Sequence, residues 1–285
     1  MDLVPETYQT FNHLPRQFAD STMRTLAAKN RLYNLVIDIG PGDGGITRKL
    51  AKLLRHRRFV AIDGDPKMID YCRRQDSDLL SPPSGVEYVL QDLSLPWNQM
   101  SESVGQLAGQ ADLIFSNFVL HFIPDKHQLL DILSRLLATD GGGSLHANLL
   151  IVADLTDRIT TAVPLLDGTK HLYLSADKQL SIWRQALEAN GLTIDEFRVT
   201  DSEWRLTRKE MIAFIPVLIQ HYNTMITEPK QFLSLREQLA NPVFDAYTNP
   251  TGGHNNPDAW TKFLADNTVA DVVLHMKILS IIAHK

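Results

Sequence analysis

A doubly wound, mostly parallel α/β sheet with helices on both faces is what this 285-residue sequence predicts. Three observations predict it. From Leu35 onward, short β-branched runs alternate with amphipathic stretches of helical period. The first run, Val36-Ile37-Asp38-Ile39, breaks into Gly40-Pro41-Gly42-Asp43-Gly44-Gly45, where a strand must turn sharply into a helix. Later runs end in acids, Asp63 and Asp92, at the carboxyl edge where such sheets bind ligands.

The elements follow in order. Residues 35–39 form the first strand, and a helix from Gly45 carries Ile46, Leu50, Leu53 and Leu54 at helical spacing. The basic run Arg55-His56-Arg57-Arg58 reads as the solvated end of that helix, favoured by its C-terminal dipole. The second strand is 59–62. Asp65-Pro66 is an N-cap with proline at N1, opening a helix through Met68, Ile69 and Cys72. After the Pro-rich turn at 81–85 come a third strand at 86–90, a fourth at 112–115, a helix carrying Leu129 to Leu137, and a fifth strand at 145–152. A helix at 179–190 stops at Gly191, and a sixth strand covers 192–200. The last β pattern is 272–283. Between these two strands the sequence turns helical, at 209–220, 229–240 and 257–266, with a loop at 249–253. The expected organisation is therefore one domain over 1–285. It has an N-terminal helical segment (1–30, with a helix at 14–29) and a helical insertion at about 205–268, placed as a lid over the strand ends.

Composition narrows the function. A net charge of −5 gives no basic face for nucleic acid. One cysteine, Cys72, excludes an internal disulfide and a thiolate metal cluster, so no metal is expected. Residues 1–10 lack the positive and apolar regions of a signal peptide, and no apolar run reaches the ~20 residues of a membrane span. A cytoplasmic protein acting on a small molecule is the expectation; oligomeric state is not legible.

The glycines fit two patterns. Gly40, Gly42 and Gly45 satisfy G-x-G-x-x-G, the dinucleotide fingerprint. Asp38, Gly40, Gly42 and Gly44 satisfy D-x-G-x-G-x-G, which resembles motif I of class I S-adenosylmethionine (SAM) methyltransferases. Asp63 can accept bonds from ribose hydroxyls in either case. Asp92 separates the two, because a carboxylate there can accept the exocyclic amine of adenine while Leu93 packs on the base. The block Asp112-Leu113-Ile114-Phe115-Ser116-Asn117-Phe118-Val119-Leu120-His121-Phe122 resembles motif IV of the small-molecule methyltransferases, D-x-[IV]-x-[SC]-x-x-x-[LF]-[HQ]. The resemblance spans about residues 33–155 with motif order intact. Within the superfamily, the insertion and the Leu120-His121-Phe122 block are most similar to the trans-aconitate and juvenile-hormone-acid carboxyl methyltransferases.

That resemblance implies a Rossmann-like seven-stranded sheet with an antiparallel seventh strand, and SAM as cofactor. It implies that Asp38 and the Gly40-Pro41-Gly42 turn hold the methionine end, with Pro41 in place of the common Cys. Asp63 and Gly64 would hold the ribose, with Met68 nearby; Asp92 and Leu93 the adenine; Asn117 and Phe118 the methyl-donor side. The implied reaction is methyl transfer to an oxygen of a partly apolar metabolite. A carboxylate acceptor needs no base, whereas a hydroxyl does, and His121 is the candidate, beside its alternative as a packing residue. Tyr8, Phe11 and Arg16 in the N-terminal segment, with Phe214 and Tyr222 in the insertion, are the candidate substrate contacts, each with a core or surface alternative. His146 reads as a packed strand histidine. Two other functions stay open on the residues: a SAM-binding protein that does not transfer the methyl, and an NAD(P)-dependent oxidoreductase.

Overall fold

The computed structural model describes residues 9, 11–77, 85–139, 142–151, 175–223, 229–249 and 256–285, without the side chains of 14, 220–223 and 229–238. Its strands are β1 (Leu32–Ile39), β2 (Arg55–Asp63), β3 (Val86–Leu90), β4 (Leu113–Asn117), β5 (Ser144–Ile151), β6 (Thr193–Thr207) and β7 (Asp271–His284). They form one sheet in the order β3-β2-β1-β4-β5-β7-β6, parallel from β3 to β5 and antiparallel at β5–β7 and β7–β6. The order steps outward in both directions from the β1/β4 neighbours. That reversal is the switch point at which doubly wound sheets open a crevice beyond their strand ends. Central strands are covered on both faces, which is why β1 and β4 read as continuous apolar runs rather than alternating ones.

The helices are α1 (His13–Ala28), α2 (Gly45–Leu53), α3 (Pro66–Gln75), α4 (Glu102–Gly105), α5 (Lys126–Leu136), α6 (Ala176–Ala189), α7 (Arg208–Asn223), α8 (Pro229–Thr248) and α9 (Ala259–Ala265). Asp65 caps α3 by accepting from the Lys67 amide at 2.9 Å, with Pro66 in the first turn, and Asp125 caps α5 in the same way through Gln128. Gly191 takes the left-handed conformation expected after α6.

Three readings need correction. The basic run 55–58 is not a helix end but the first half of β2, registered against Leu32, Tyr33 and Leu35 of β1, with Arg58 in a bidentate bond to Glu87 of β3. Charged residues are tolerated in that half because it is largely exposed, while Phe59–Ile62 is buried. β6 runs seven residues past its expected end. The helix expected at 229–240 continues through Asn241-Pro242 to Thr248, so that proline sits inside α8.

The chain divides into two compact units: 1–149 with 183–199 and 279–285, and 150–182 with 200–278. In the first, Val36, Phe59, Ala61, Leu113 and Phe115 of the sheet pack with Ala19, Met23 and Leu26 of α1 and Leu50 of α2. In the second, Phe244 of α8 packs tilted against Trp260 and Phe263 of α9, which stack on each other, with centroids 5.0–5.3 Å apart. There Arg208 donates to the carbonyls of Phe263, Leu264 and Asp266 at the end of α9. Among the described residues no helix is long and apolar enough to cross a membrane.

Candidate active site

The turn after β1 discriminates between the two glycine patterns. Gly40, Gly42 and Gly44 have φ of 75°, 56° and 72°, while Gly45 simply opens α2. The positions that require glycine are thus those of D-x-G-x-G-x-G. At Gly40 space also forbids a side chain, since a Cβ would lie 2.2 Å from Val119. Ahead of the turn, the Asp38 carboxylate is buried at 3% exposure and accepts from the Thr47 hydroxyl at 2.7 Å. Burial raises its pKa to about 7; Thr47 opposes the rise and the Asp63 charge adds to it. Asp38, Gly40, Pro41 and Asn117 line one pocket, together with Asn12, Asp43, Ile46 and Phe115.

Asp63 ends β2 and accepts from the Asp65 amide at 2.9 Å, with the Gly42 and Gly64 amides also bonded to it. Desolvation, the largest influence, lifts its pKa to about 6 against those bonds. Gly64 lies against the loop after β3, where a Cβ would stand 3.4 Å from the Asp92 Cα. The structure therefore brings the ends of β2 and β3 together. Asp92 is exposed and accepts from the Ser94 amide at 2.8 Å; Leu93 beside it is buried, as is Met68 on α3.

At the end of β4 the Asn117 amide is already engaged: it donates to the Pro15 carbonyl at 3.1 Å and accepts from Asn148 of β5. Asn148 also donates to Thr22 and accepts from Ser280. Phe118 sits in the left-handed region (φ 60°), held by its N–H donating to the Asn148 carbonyl at 2.7 Å. A bulky residue in that region marks stored strain, which concentrates at functional sites. Its ring meets Phe18 of α1 at 5.7 Å and His121 at 6.4 Å, and the buried His121 lies 4.2 Å from the Phe122 ring.

The N-terminal segment crosses this edge from one strand end to the next. Gln9 reaches Tyr71 of α3, Asn12 and Arg16 reach Asp43 in the glycine turn (2.8 and 3.2 Å), Pro15 meets Asn117, and Thr22 meets Asn148. Arg16, expected as a substrate contact, is thus paired with the buried Asp43. Asn12, in the N-cap position of α1, gives its amide to Asp43 and not to its own helix. Phe11 is buried in the first unit, and Phe214 is buried in the second, 6.2 Å from Trp204. Tyr8 and the side chain of Tyr222 lie outside the described residues. His146 is buried with neither ring nitrogen partnered, and burial lowers its pKa to about 4. Asn12, Asp43, Thr47 and Asn148 were missed by sequence reasoning; only Asp43, inside the turn, stood near a signal.

Fold and site together are similar to those of a class, the class I SAM-dependent methyltransferases, and the comparisons support that likeness. Residues 37–142 match the family described as a methyltransferase domain, the stretch from the end of β1 to just before β5. Among curated proteins the chain is similar to malonyl-[acyl-carrier protein] O-methyltransferases. It is 28% identical to that of Enterobacter lignolyticus over 64% of this chain and 61% of the relative. It is 30% identical to that of Halorhodospira halophila over 49% and 43%. The match thus spans about two fifths to three fifths of these relatives' length. Among solved structures, the YcgJ protein of Bacillus subtilis superposes with a TM-score of 0.55 at 14% identity, covering 95% of this chain and 98% of that one. A protein of Bacillus halodurans C-125, provisionally assigned as a methyltransferase, gives 0.54 at 13%, covering 93% and 99%. The expectation of a Rossmann-like sheet with antiparallel terminal pairing holds, and SAM is the cofactor of this class.

Proposed function

We propose that the carboxyl ends of β1 to β4 hold SAM and that the protein transfers its methyl group to a carboxylate oxygen of a small, partly apolar acyl compound. The observation that carries the reading is Asp38: a buried carboxylate in a lined pocket, bonded by one hydroxyl, beneath a turn whose three glycines leave main chain bare. An uncompensated buried carboxylate fits a ligand bearing an ammonium. When bound, SAM supplies a methyl already activated by a sulfonium. What remains for the chain is alignment and exclusion of water.

Asp38 orients the amino-acid end, the 40–42 backbone lies along it, Asp63 and Gly64 take the ribose, and Asp92 takes the adenine amine above Leu93. Met68 stands beside them on α3. Asn117 acts here as a strut that sets α1 against β4, while Phe118 presents its ring toward the acceptor. Arg16 and Asn12 close the glycine turn through Asp43. Oxygen as the acceptor atom is supported by the names of the curated relatives, which are O-methyltransferases. For a carboxylate, no proton leaves at the reacting oxygen, and His121 serves as part of the aromatic wall. For a hydroxyl it would have to take that proton.

The test is calorimetry with SAM, S-adenosylhomocysteine and NAD, followed by methyl transfer from labelled SAM to carboxylic acids and phenols, including a malonyl thioester. Binding of SAM with turnover on a carboxylate is expected. Binding of NAD in its place removes the cofactor reading, and SAM binding with no turnover on any acceptor removes methyl transfer.

A further inference from the structure

The turn that follows Phe118 is a single 3-10 turn, Leu120–Phe122, and two of its carbonyls, with that of Ile123 just after it, meet one cation. The Lys126 ammonium donates to the carbonyls of Leu120 (3.3 Å), His121 (3.1 Å) and Ile123. Its fourth side faces the Trp183 indole, 5.0 Å from nitrogen to ring centroid. Helix and turn ends leave carbonyls with spare accepting capacity, and a cation there satisfies it; the Leu120 carbonyl also accepts from the Ile123 amide. For its own helix, however, Lys126 is misplaced. It is the first residue of α5, where the dipole disfavours a positive charge. Part of the residue reaches solvent, yet the ammonium is enclosed by three carbonyls and an indole. Desolvation lowers its pKa to about 7, opposed by the Asp125 carboxylate. A lysine kept at that disadvantage serves the preceding turn. Only the charged form has three N–H groups for three carbonyls.

We infer that Lys126, backed by Trp183, is a positioning residue that fixes the Leu120–Phe122 turn, and with it the His121 and Phe122 rings, on the acceptor side of the methyl-transfer site. The inference rests on the function proposed above for its catalytic consequence, but not for its structural one. The carbonyl clamp holds the turn closed whether or not methyl is transferred, so the two can fail separately.

The experiment compares Lys126→Met, which keeps the stem and loses the charge and donors, with Lys126→Arg, which keeps both. Amide hydrogen exchange is read at Phe122 and Ile123, whose N–H groups bond Val119 and Leu120 within the turn. Exchange there should speed by about tenfold or more in Lys126→Met and return to within about threefold of wild type in Lys126→Arg, with Val60 in the core unchanged. With SAM bound, kcat should fall about tenfold in Lys126→Met while the Kd for SAM stays within about threefold, and the arginine variant should recover most of kcat. Unchanged exchange in Lys126→Met overturns the clamp. Faster exchange with an unaltered kcat, or arginine failing to rescue either readout, overturns the positioning role. Absence of turnover in the wild-type protein overturns the proposed function alone, because the exchange measurement still decides the clamp. If Lys126→Met does not fold, Trp183→Leu supplies the same exchange comparison.

Discussion

The two ends of the candidate cofactor site are built on opposite principles. At the glycine turn, Asp38 is buried, bonded by the Thr47 hydroxyl and pushed up to about 7, and Asp43, which lines the same pocket, is held by Asn12 and Arg16. At the far end, Asp92 is exposed and accepts from the local Ser94 amide, with Asp63 half-buried between the two extremes. A desolvated carboxylate interacts strongly with an incoming charge and is held at a cost in the free protein. An exposed one only trades water for a ligand donor. In the proposed site the turn end would therefore supply selectivity for a cationic ligand, and the nucleoside end would supply register.

That contrast can be broken most decisively at Gly40. Replacing it with alanine adds left-handed strain and a clash with Val119, together worth about 3 kcal/mol, and SAM binding should fall by roughly a hundredfold or more. Denaturant unfolding and calorimetry measure both. The double variant Gly40→Ala, Val119→Ala should recover part of the stability but not the φ penalty, and full recovery would mean that space alone required glycine.

Asp38→Asn comes next. Losing a buried charge opposite an ammonium should weaken SAM roughly tenfold to thirtyfold at pH 8 and far less at pH 6, where Asp38 already carries a proton. Its folded pKa lies above the unfolded value of 3.8, so its contribution to stability is complete below pH 3.8 and is lost as pH rises through about 7. Asp38→Asn in the ligand-free protein should accordingly raise the urea midpoint at pH 8 and leave it unchanged near pH 4. By the same linkage, wild-type SAM binding near pH 6.5 should release protons, seen as a binding enthalpy that varies with buffer ionisation heat. An affinity loss equal at both pH values would place the ligand's charge elsewhere.

The smallest effects belong to the nucleoside end. Asp63→Ala should weaken SAM about tenfold and Asp92→Ala about threefold, in the order of their burial. Unchanged affinity in both would overturn the placement of ribose and adenine, and a larger loss at Asp92 would reverse the contrast between the two ends.

The same division separates what could be read early from what could not. The D-x-G-x-G-x-G turn was legible because φ is a local variable: three alternate positions admit only glycine, and the dinucleotide match at Gly45 fell on an ordinary helical residue. The Asp65 cap of α3 was legible for the same reason. The basic run 55–58 was misread because its extended form comes from pairing with β1 and from Glu87, 29 residues from Arg58. The long β6 and the unbroken α8 were likewise set by neighbours, which override a local breaker.

By itself, then, the sequence determined the alternation of strands and helices, the glycine turn, and the acids that close β1, β2 and β3. These depend on backbone torsions and short-range periodicity. Tertiary structure alone decided how those acids differ. Burial raises Asp38 and Asp63 and leaves Asp92 in solvent. Side chains 27 to 31 residues apart tie α1 to Asp43, and a lysine at the head of α5 serves the turn before it. Desolvation and long-range hydrogen bonding depend on distances in space, and no spacing along the chain encodes them.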